Sequence, residues 1–185
     1  LEPTNSPYAM AKLSAIEIGR SMSKQFGHRV LNLMPTNLYG PNDYFSDLDS
    51  HVIPALIHRM YKTIENGEDK FIVWGSGAPL REFLYVDDLS NFINFIIDKD
   101  IKNDLVNVGS GEEISIKNLA LLIQELMNFE GDVIFDSSKP DGNPRKLLDS
   151  SLINNMGWKA KENLESGLSK TYDWYLNSLD EWFKF

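Results

Sequence analysis

The sequence contains no cysteine, which removes disulfides, thiolate nucleophiles and cysteine-based zinc sites together. Any covalent or acid–base chemistry therefore falls to His, Tyr, Lys, Asp or Glu, and no metal-ligand cluster is read. Long apolar runs are missing too: nothing approaches the roughly 18 residues of a membrane span, and no basic stretch followed by an apolar one opens the chain. A cytoplasmic protein is the expectation. Basic residues are scarce, 18 Lys and Arg against 27 Asp and Glu, for a net charge of -9. That balance argues against a general nucleic-acid or anionic-membrane surface, so an anionic ligand must be caught by a local pocket. Internal repeats and low-complexity segments are absent. What remains is 185 residues, 42% of them hydrophobic, enough for a sizeable core.

Periodicity then organises the chain. Apolar residues from Tyr8 to Met22 recur at helical spacing behind Pro7, predicting a helix over 7–26 that stops at Gly27. "HRVLNLMP" reads as a buried strand ended by Pro35, and "TNLYGPND" as a turn. "HVIPALIHRMYKTIEN" is a second helix with Ser50 or Asp49 as its cap. Further on, "KFIVWG" predicts a strand, "REFLYVDDLSNFINFIID" a strand joined to an amphipathic helix, and residues 104–127 another strand, glycine-rich turn and helix. "DVIFD" is a strand, "SSKPDGNPRK" an irregular basic loop, and two helical patterns close the chain. Strands alternating with helices place the fold in the α/β class.

Tyr8 and Lys12 stand four positions apart on one helix face. A cation beside a phenol stabilises the phenolate and brings tyrosine into use as a proton donor or acceptor. Alone, a Tyr-x-x-x-Lys match is as readily accidental as catalytic. The ordered set "YAMAK", "PTNLYGPND", "SHVIPALIHR", "VWGSGAPLREFLYVDDL", "NVGSG" and "SKPDGNPRKLLD" is more specific. It resembles the extended short-chain dehydrogenase/reductases over nearly the whole chain, and among them the branch that makes GDP-L-fucose.

The resemblance implies an NADP-dependent oxidoreductase and epimerase: 3,5-epimerisation and 4-reduction of GDP-4-keto-6-deoxy-D-mannose, with NADP(H) as cofactor and a homodimer as the assembly. It implies that Tyr8 protonates the C4 oxygen, that Lys12 readies Tyr8 and holds the nicotinamide ribose, and that Pro35, Thr36, Asn37 and Leu38 line the nicotinamide end. His51 takes the place of an acid–base histidine that also borders the cofactor. Protons at C3 and C5 are acidified by the C4 ketone, and imidazole suits their return. Arg59, Trp74, Arg81, Asp141 and Lys146 fall on nucleotide-sugar-binding positions, where guanidinium groups hold diphosphate oxygens and an aromatic supplies a stacking or apolar wall. Asp87 and Asp88 read as a helix N-terminus rather than a catalytic couple. His28 and His58 are read as ordinary surface or capping residues.

The chain departs from the family in lacking the cysteine that the resemblance implies as the base partnering His51, and no G-x-x-G-x-x-G phosphate turn occurs. With Leu1 in place of Met, these gaps suggest a fragment without its N-terminal dinucleotide-binding part. The expected fold is accordingly the later part of a Rossmann-type domain, residues 1–41 and 76–109, joined to a smaller mixed α/β substrate-binding portion, residues 42–75 and 110–185. The isolated chain is expected to bind without turnover. Two other readings stand beside the first: another nucleotide-sugar epimerase or 4,6-dehydratase with the same Tyr and Lys, and a non-catalytic sugar-nucleotide-binding fragment.

Overall fold

A computed structural model describes residues 6–47 and 49–182, with the side chains of 180–182 excepted; the opening residues 1–5 lie outside it. The element order is α1 (Ser6–Phe26), β1 (Asn32–Pro35), β2 (Asn37–Tyr39), α2 (Val52–Glu65), β3 (Lys70–Trp74), β4 (Leu80–Tyr85), α3 (Val86–Ile96), β5 (Leu105–Val108), β6 (Glu113–Ser115), α4 (Ile116–Leu126), β7 (Asp132–Asp136), β8 (Arg145–Lys146), α5 (Ser151–Asn155) and α6 (Leu164–Trp182). The α/β class holds. Parallel pairs join β1 to β5, β2 to β4 and β3 to β7, while β4 also takes β6 antiparallel on one stretch and β8 parallel.

Two differences from the sequence reading have local causes. "TNLYGPND" contains a strand: Asn37–Tyr39 pairs in register with Phe83–Tyr85, so a segment rich in turn residues is made extended by hydrogen bonds to a partner 46 positions away. The cap of α2 is His51, not Ser50 or Asp49, because the Ser50 hydroxyl donates instead to the Ser46 carbonyl at 2.7 Å. Ser115, by contrast, caps α4 in the usual way, its Oγ accepting from Asn118 N–H at 3.1 Å.

Two apolar clusters hold the elements. One gathers α2, α4 and α6 around Ile57, Met60, Phe71, Leu119, Ile123 and Leu168. The other packs Leu84, Phe92, Ile96, Val106 and Val108 with Ile153 and Trp158. Strand β4 belongs to both: Phe83 and Tyr85 face the first cluster and Leu84 the second, as strand alternation requires. The acidic first turn of α3 has a packing role as well. Asp88 is buried, and its Oδ2 accepts from the backbone N–H groups of Lys161 and Glu162 at 3.1 and 2.9 Å. Helix α1 is the exception, with Gly19 its one buried residue and Tyr8, Met10, Leu13, Ile18, Met22 and Phe26 exposed.

Candidate functional site

Parallel strands leave a crevice beyond their carboxyl ends, where open α/β sheets hold ligands. Here β1 ends at Pro35 and β2 at Tyr39, and a cleft of about 710 Å³ opens beside them. Its walls are Tyr8 of α1, the run Met34–Asp43, His51, Val86 at the head of α3, and Lys146–Leu148. The turn at its rim depends on Gly40, whose φ of +146° suits glycine and whose added Cβ would stand 2.7 Å from Val86 Cγ1.

Within this cleft the structure brings together Tyr8, Pro35, Thr36, Asn37, Leu38, His51 and Lys146. Lys12 is not part of the wall; its Nζ lies 5.2 Å from the Tyr8 ring centroid, on the face of the ring. His51 occupies the cap position of α2 with extended backbone, yet its imidazole makes no capping hydrogen bond and is exposed to the cleft. His28 and His58 are elsewhere. His28 packs against Phe26. His58 shares a 2.8 Å hydrogen bond with the Tyr175 hydroxyl through Nδ1, and its Nε2 faces Asp47 at 3.6 Å. Burial holds this imidazole below its ordinary pKa, with Lys62 adding to the effect and Asp47 opposing it.

A second cleft, about 370 Å³, lies between α2, β3, β4 and the loop around Asp141. It gathers Arg59, Trp74, Arg81 and Asp141, residues spread over 83 positions of sequence. Trp74 is 52% exposed and so lies outside the core. The Arg59 guanidinium lies against Phe71 and Trp74, 5.5 and 5.2 Å from their ring centroids, and donates to the Ile72 carbonyl. Arg81 Nη1 donates to the carbonyls of Leu80 and Asn143, each at 2.7 Å. Desolvation lowers the pKa of both arginines. Asp141 accepts from Ser76 Oγ at 2.6 Å and Ser76 N at 2.9 Å, bonds that hold its carboxyl below the usual range.

Arg20, Lys62, Arg145 and Lys170 each sit within ion-pair distance of a carboxylate. Among the described residues Arg59 and Arg81 do not; backbone carbonyls orient them, and Asp47 and Asp141 act on them from beyond ion-pair distance. The second cleft is thus lined by two arginines and two aspartates, Asp47 and Asp141, inside an acidic chain. The two clefts adjoin, because Lys146 on β8 is the register partner of Arg81 on β4.

The sequence reading did not single out Tyr39, Asn42, Asp43, Val86, Leu147 or Leu148 in the first cleft. The first three stand in the "PTNLYGPND" motif beside Pro35–Leu38, which was the available signal. The basic loop is also more ordered than read, since Arg145 pairs bidentately with Glu113 at 2.8 and 2.7 Å and Arg145–Lys146 forms β8.

A carboxyl-end cleft beside a Tyr–Lys pair thus adjoins a second cleft that holds two arginines, two aspartates and an exposed tryptophan. The chain belongs to the NAD dependent epimerase/dehydratase family, whose model matches residues 1–109. More particularly, it is 49% identical over 179 residues to GDP-L-fucose synthase 1 of Arabidopsis thaliana, covering 97% of this chain and 55% of that protein. It is 42% identical over 189 residues to GDP-L-fucose synthase of Escherichia coli (strain K12), covering 97% of this chain and 59% of that one. Among solved structures, a GDP-L-fucose synthetase from Naegleria fowleri bound to NADP superposes with a TM-score of 0.87 at 31% identity, over 94% of this chain and 56% of that chain. The fold is Rossmann-like accordingly. The chain spans a little over half the length of these curated relatives.

Proposed function

We propose that this chain carries the proton-transfer residues and the sugar-nucleotide pocket of an NADP-dependent enzyme that converts GDP-4-keto-6-deoxy-D-mannose to GDP-L-fucose by 3,5-epimerisation and 4-reduction. The carrying observation is the adjacency of two unlike clefts, one holding Tyr8 and His51 and the other the carbonyl-oriented pair Arg59 and Arg81. A ligand with a reacting sugar at one end and an anionic nucleotide at the other matches that division.

In the second cleft, Arg59 and Arg81 meet diphosphate oxygens and Trp74 supplies a stacking or apolar wall, with Lys146 reaching the ligand from the strap between the clefts. Asp141, fixed by Ser76, accepts from N–H or hydroxyl groups. In the first cleft, the hydrogens at C3 and C5 of the keto sugar are acidic because the carbanion spreads onto O4; a base on one face, which the resemblance assigns to a cysteine that this chain lacks, takes the proton, and His51 returns one to carbon from the opposite face. Reduction at C4 needs a proton at O4 as the new C–H bond forms, and Tyr8 donates it with Lys12 stabilising the phenolate left behind.

The residues present fit the nicotinamide end of NADP(H): the end of β1 and the start of β2, from Pro35 to Leu38, line a crevice that also holds Tyr8. When bound, NADPH supplies the hydride. Pro35 to Leu38 and Lys12 are the groups of this chain that would hold it. We further propose the two-part division at residues 1–41 and 76–109 against 42–75 and 110–185, a cytoplasmic location and a homodimer. No described helix is long and apolar enough to cross a membrane.

The test is calorimetric titration of the chain with GDP-mannose, UDP-glucose and NADPH in parallel. Binding of the GDP sugar, abolished by Arg81→Ala, is the expected result. Preference for UDP-glucose would overturn the assignment in favour of a different nucleotide-sugar epimerase.

A further inference from the structure

Glu82 follows Arg81 on β4 and is 0% exposed, an unusual place for a carboxylate. No Lys, Arg or His pairs with it among the described residues. Instead its two oxygens point at two separate stretches of backbone: Oε1 accepts from Gly111 N–H at 2.8 Å and Oε2 from Leu148 N–H at 3.0 Å. Its own carbonyl accepts Asn37 Nδ2 at 2.7 Å and Thr36 Oγ1 at 3.2 Å. Thr36, Asn37 and Leu148 all line the first cleft. The fit is close on the remaining side, where a Cβ added to Gly109 would be driven into the Glu82 carboxylate.

Filling the strand interior needs only volume, which leucine or glutamine supplies. What those side chains lack is a pair of anionic oxygens able to take two N–H donors from different directions, bonds stronger than their neutral counterparts and poorly replaced by water in a buried site. The Leu148 N–H belongs to residues 147–150, which form no helix or strand; Glu82 is the acceptor that fixes the Leu148 end of this stretch, and Asn107 Nδ2 donates to the Asp149 carbonyl at 3.1 Å.

We propose that Glu82 is a positioning residue for the first cleft: its carboxylate ties the Lys146–Leu148 wall and the Gly109–Gly111 turn together while its carbonyl holds Thr36 and Asn37, so that Lys146 shares one cleft with Tyr8 and His51. The catalytic consequence rests on the sugar-nucleotide reading above; the structural claim does not.

The experiment is amide hydrogen exchange by NMR on the whole chain, with GDP-mannose titration beside it. In the unsubstituted chain the Leu148 amide should be protected although it belongs to no regular element; exchange at the rate of a free loop amide would overturn the proposal without any variant. Glu82→Gln keeps the volume but replaces one acceptor oxygen by an NH2 group, and should speed exchange at Leu148 or Gly111 about tenfold, the loss of roughly one hydrogen bond. The β3–β7 amides should not change. GDP-mannose affinity should fall about tenfold, measured at a temperature where circular dichroism shows the variant fully folded. Glu82→Asp keeps the charge but is a carbon shorter, and should fail in the same way because reach is what it loses. Unchanged exchange and affinity in Glu82→Gln would refute the role. Should that variant not fold, the exchange rate of the unsubstituted chain still decides. If the unsubstituted chain does not bind GDP-mannose, the functional reading falls while the exchange measurements still test Glu82.

Discussion

Strand β3 offers a direct comparison, because Phe71 and Trp74 point to opposite faces of it. Phe71 is 1% exposed and Trp74 52% exposed. Replacing a buried phenylalanine by alanine leaves a cavity and costs about 3–5 kcal/mol. A tryptophan buries roughly 200 Å² when enclosed; half of that, at about 25 cal/mol per Å², sets an upper bound of about 2.5 kcal/mol for Trp74. Compaction of the unfolded chain, and the area alanine keeps, reduce the figure to about 1–2 kcal/mol, including about 0.5–1 kcal/mol for the Arg59 cation over its ring. Ligand binding should rank the two residues the other way. Loss of an aromatic wall against a base costs about 1–3 kcal/mol, so Trp74→Ala should weaken GDP-mannose binding about 10- to 100-fold. Urea unfolding followed by circular dichroism, with calorimetry on each variant, measures both quantities. If Trp74→Ala destabilises as much as Phe71→Ala, the outer-face geometry is wrong. If it leaves GDP-mannose affinity unchanged, Trp74 is not part of the nucleotide site.

Acidification should act through His58. Burial depresses its folded pKa, so the folded chain takes up the His58 proton less readily than the unfolded one. Its contribution to stability is complete above about pH 6.5 and is lost as pH falls through the depressed value. The urea midpoint should therefore drop between about pH 7.5 and 5.5, and drop less in His58→Asn, whose amide oxygen can accept from Tyr175; equal slopes would contradict the assignment. Asp88→Ala strands the N–H groups of Lys161 and Glu162 and should cost about 1–3 kcal/mol, read from the unfolding midpoint. Gly77→Ala imposes a φ of +77° on a residue with a Cβ and sets that atom 2.7 Å from the Phe135 ring; a loss of about 1–3 kcal/mol is expected in the same assay.

The longer elements were legible because each carries its own period. The helices α1, α2, α3 and α4 repeat apolar residues at three and four, and β3, β5 and β7 are short apolar runs bounded by turn residues. Strands β2, β6 and β8 were not legible. They are three residues or fewer, and each exists through hydrogen bonds to β4, a partner that local sequence does not announce. The same limit governs the site. Tyr8 with Lys12 is a local pattern, whereas Arg59, Trp74, Arg81 and Asp141 come together only through the fold and could be named beforehand only from resemblance. Glu82 was invisible for another reason: a charged residue in a strand reads as solvent-facing, and only the three-dimensional structure shows its carboxylate enclosed by backbone donors.

That dependence on β4 has a functional side. Successive residues of a strand point to opposite faces, so a register shift of one position exchanges what each face presents. On β8 the two residues are both cationic but differently employed: Arg145 is spent on Glu113, while Lys146 lines the first cleft. A slip of one residue against β4 would put Arg145 in the place of Lys146 and break the bidentate pair. Two residues of pairing specify register weakly on their own. Three contacts from outside the strand reinforce it: the Arg145–Glu113 bridge, the Leu80 N–H bond to the Pro144 carbonyl at 2.9 Å, and the Leu148 N–H bond to Glu82. The fold thus spends a buried carboxylate and an ion pair on the placement of a single lysine, which follows if the cation must meet a ligand that spans both clefts.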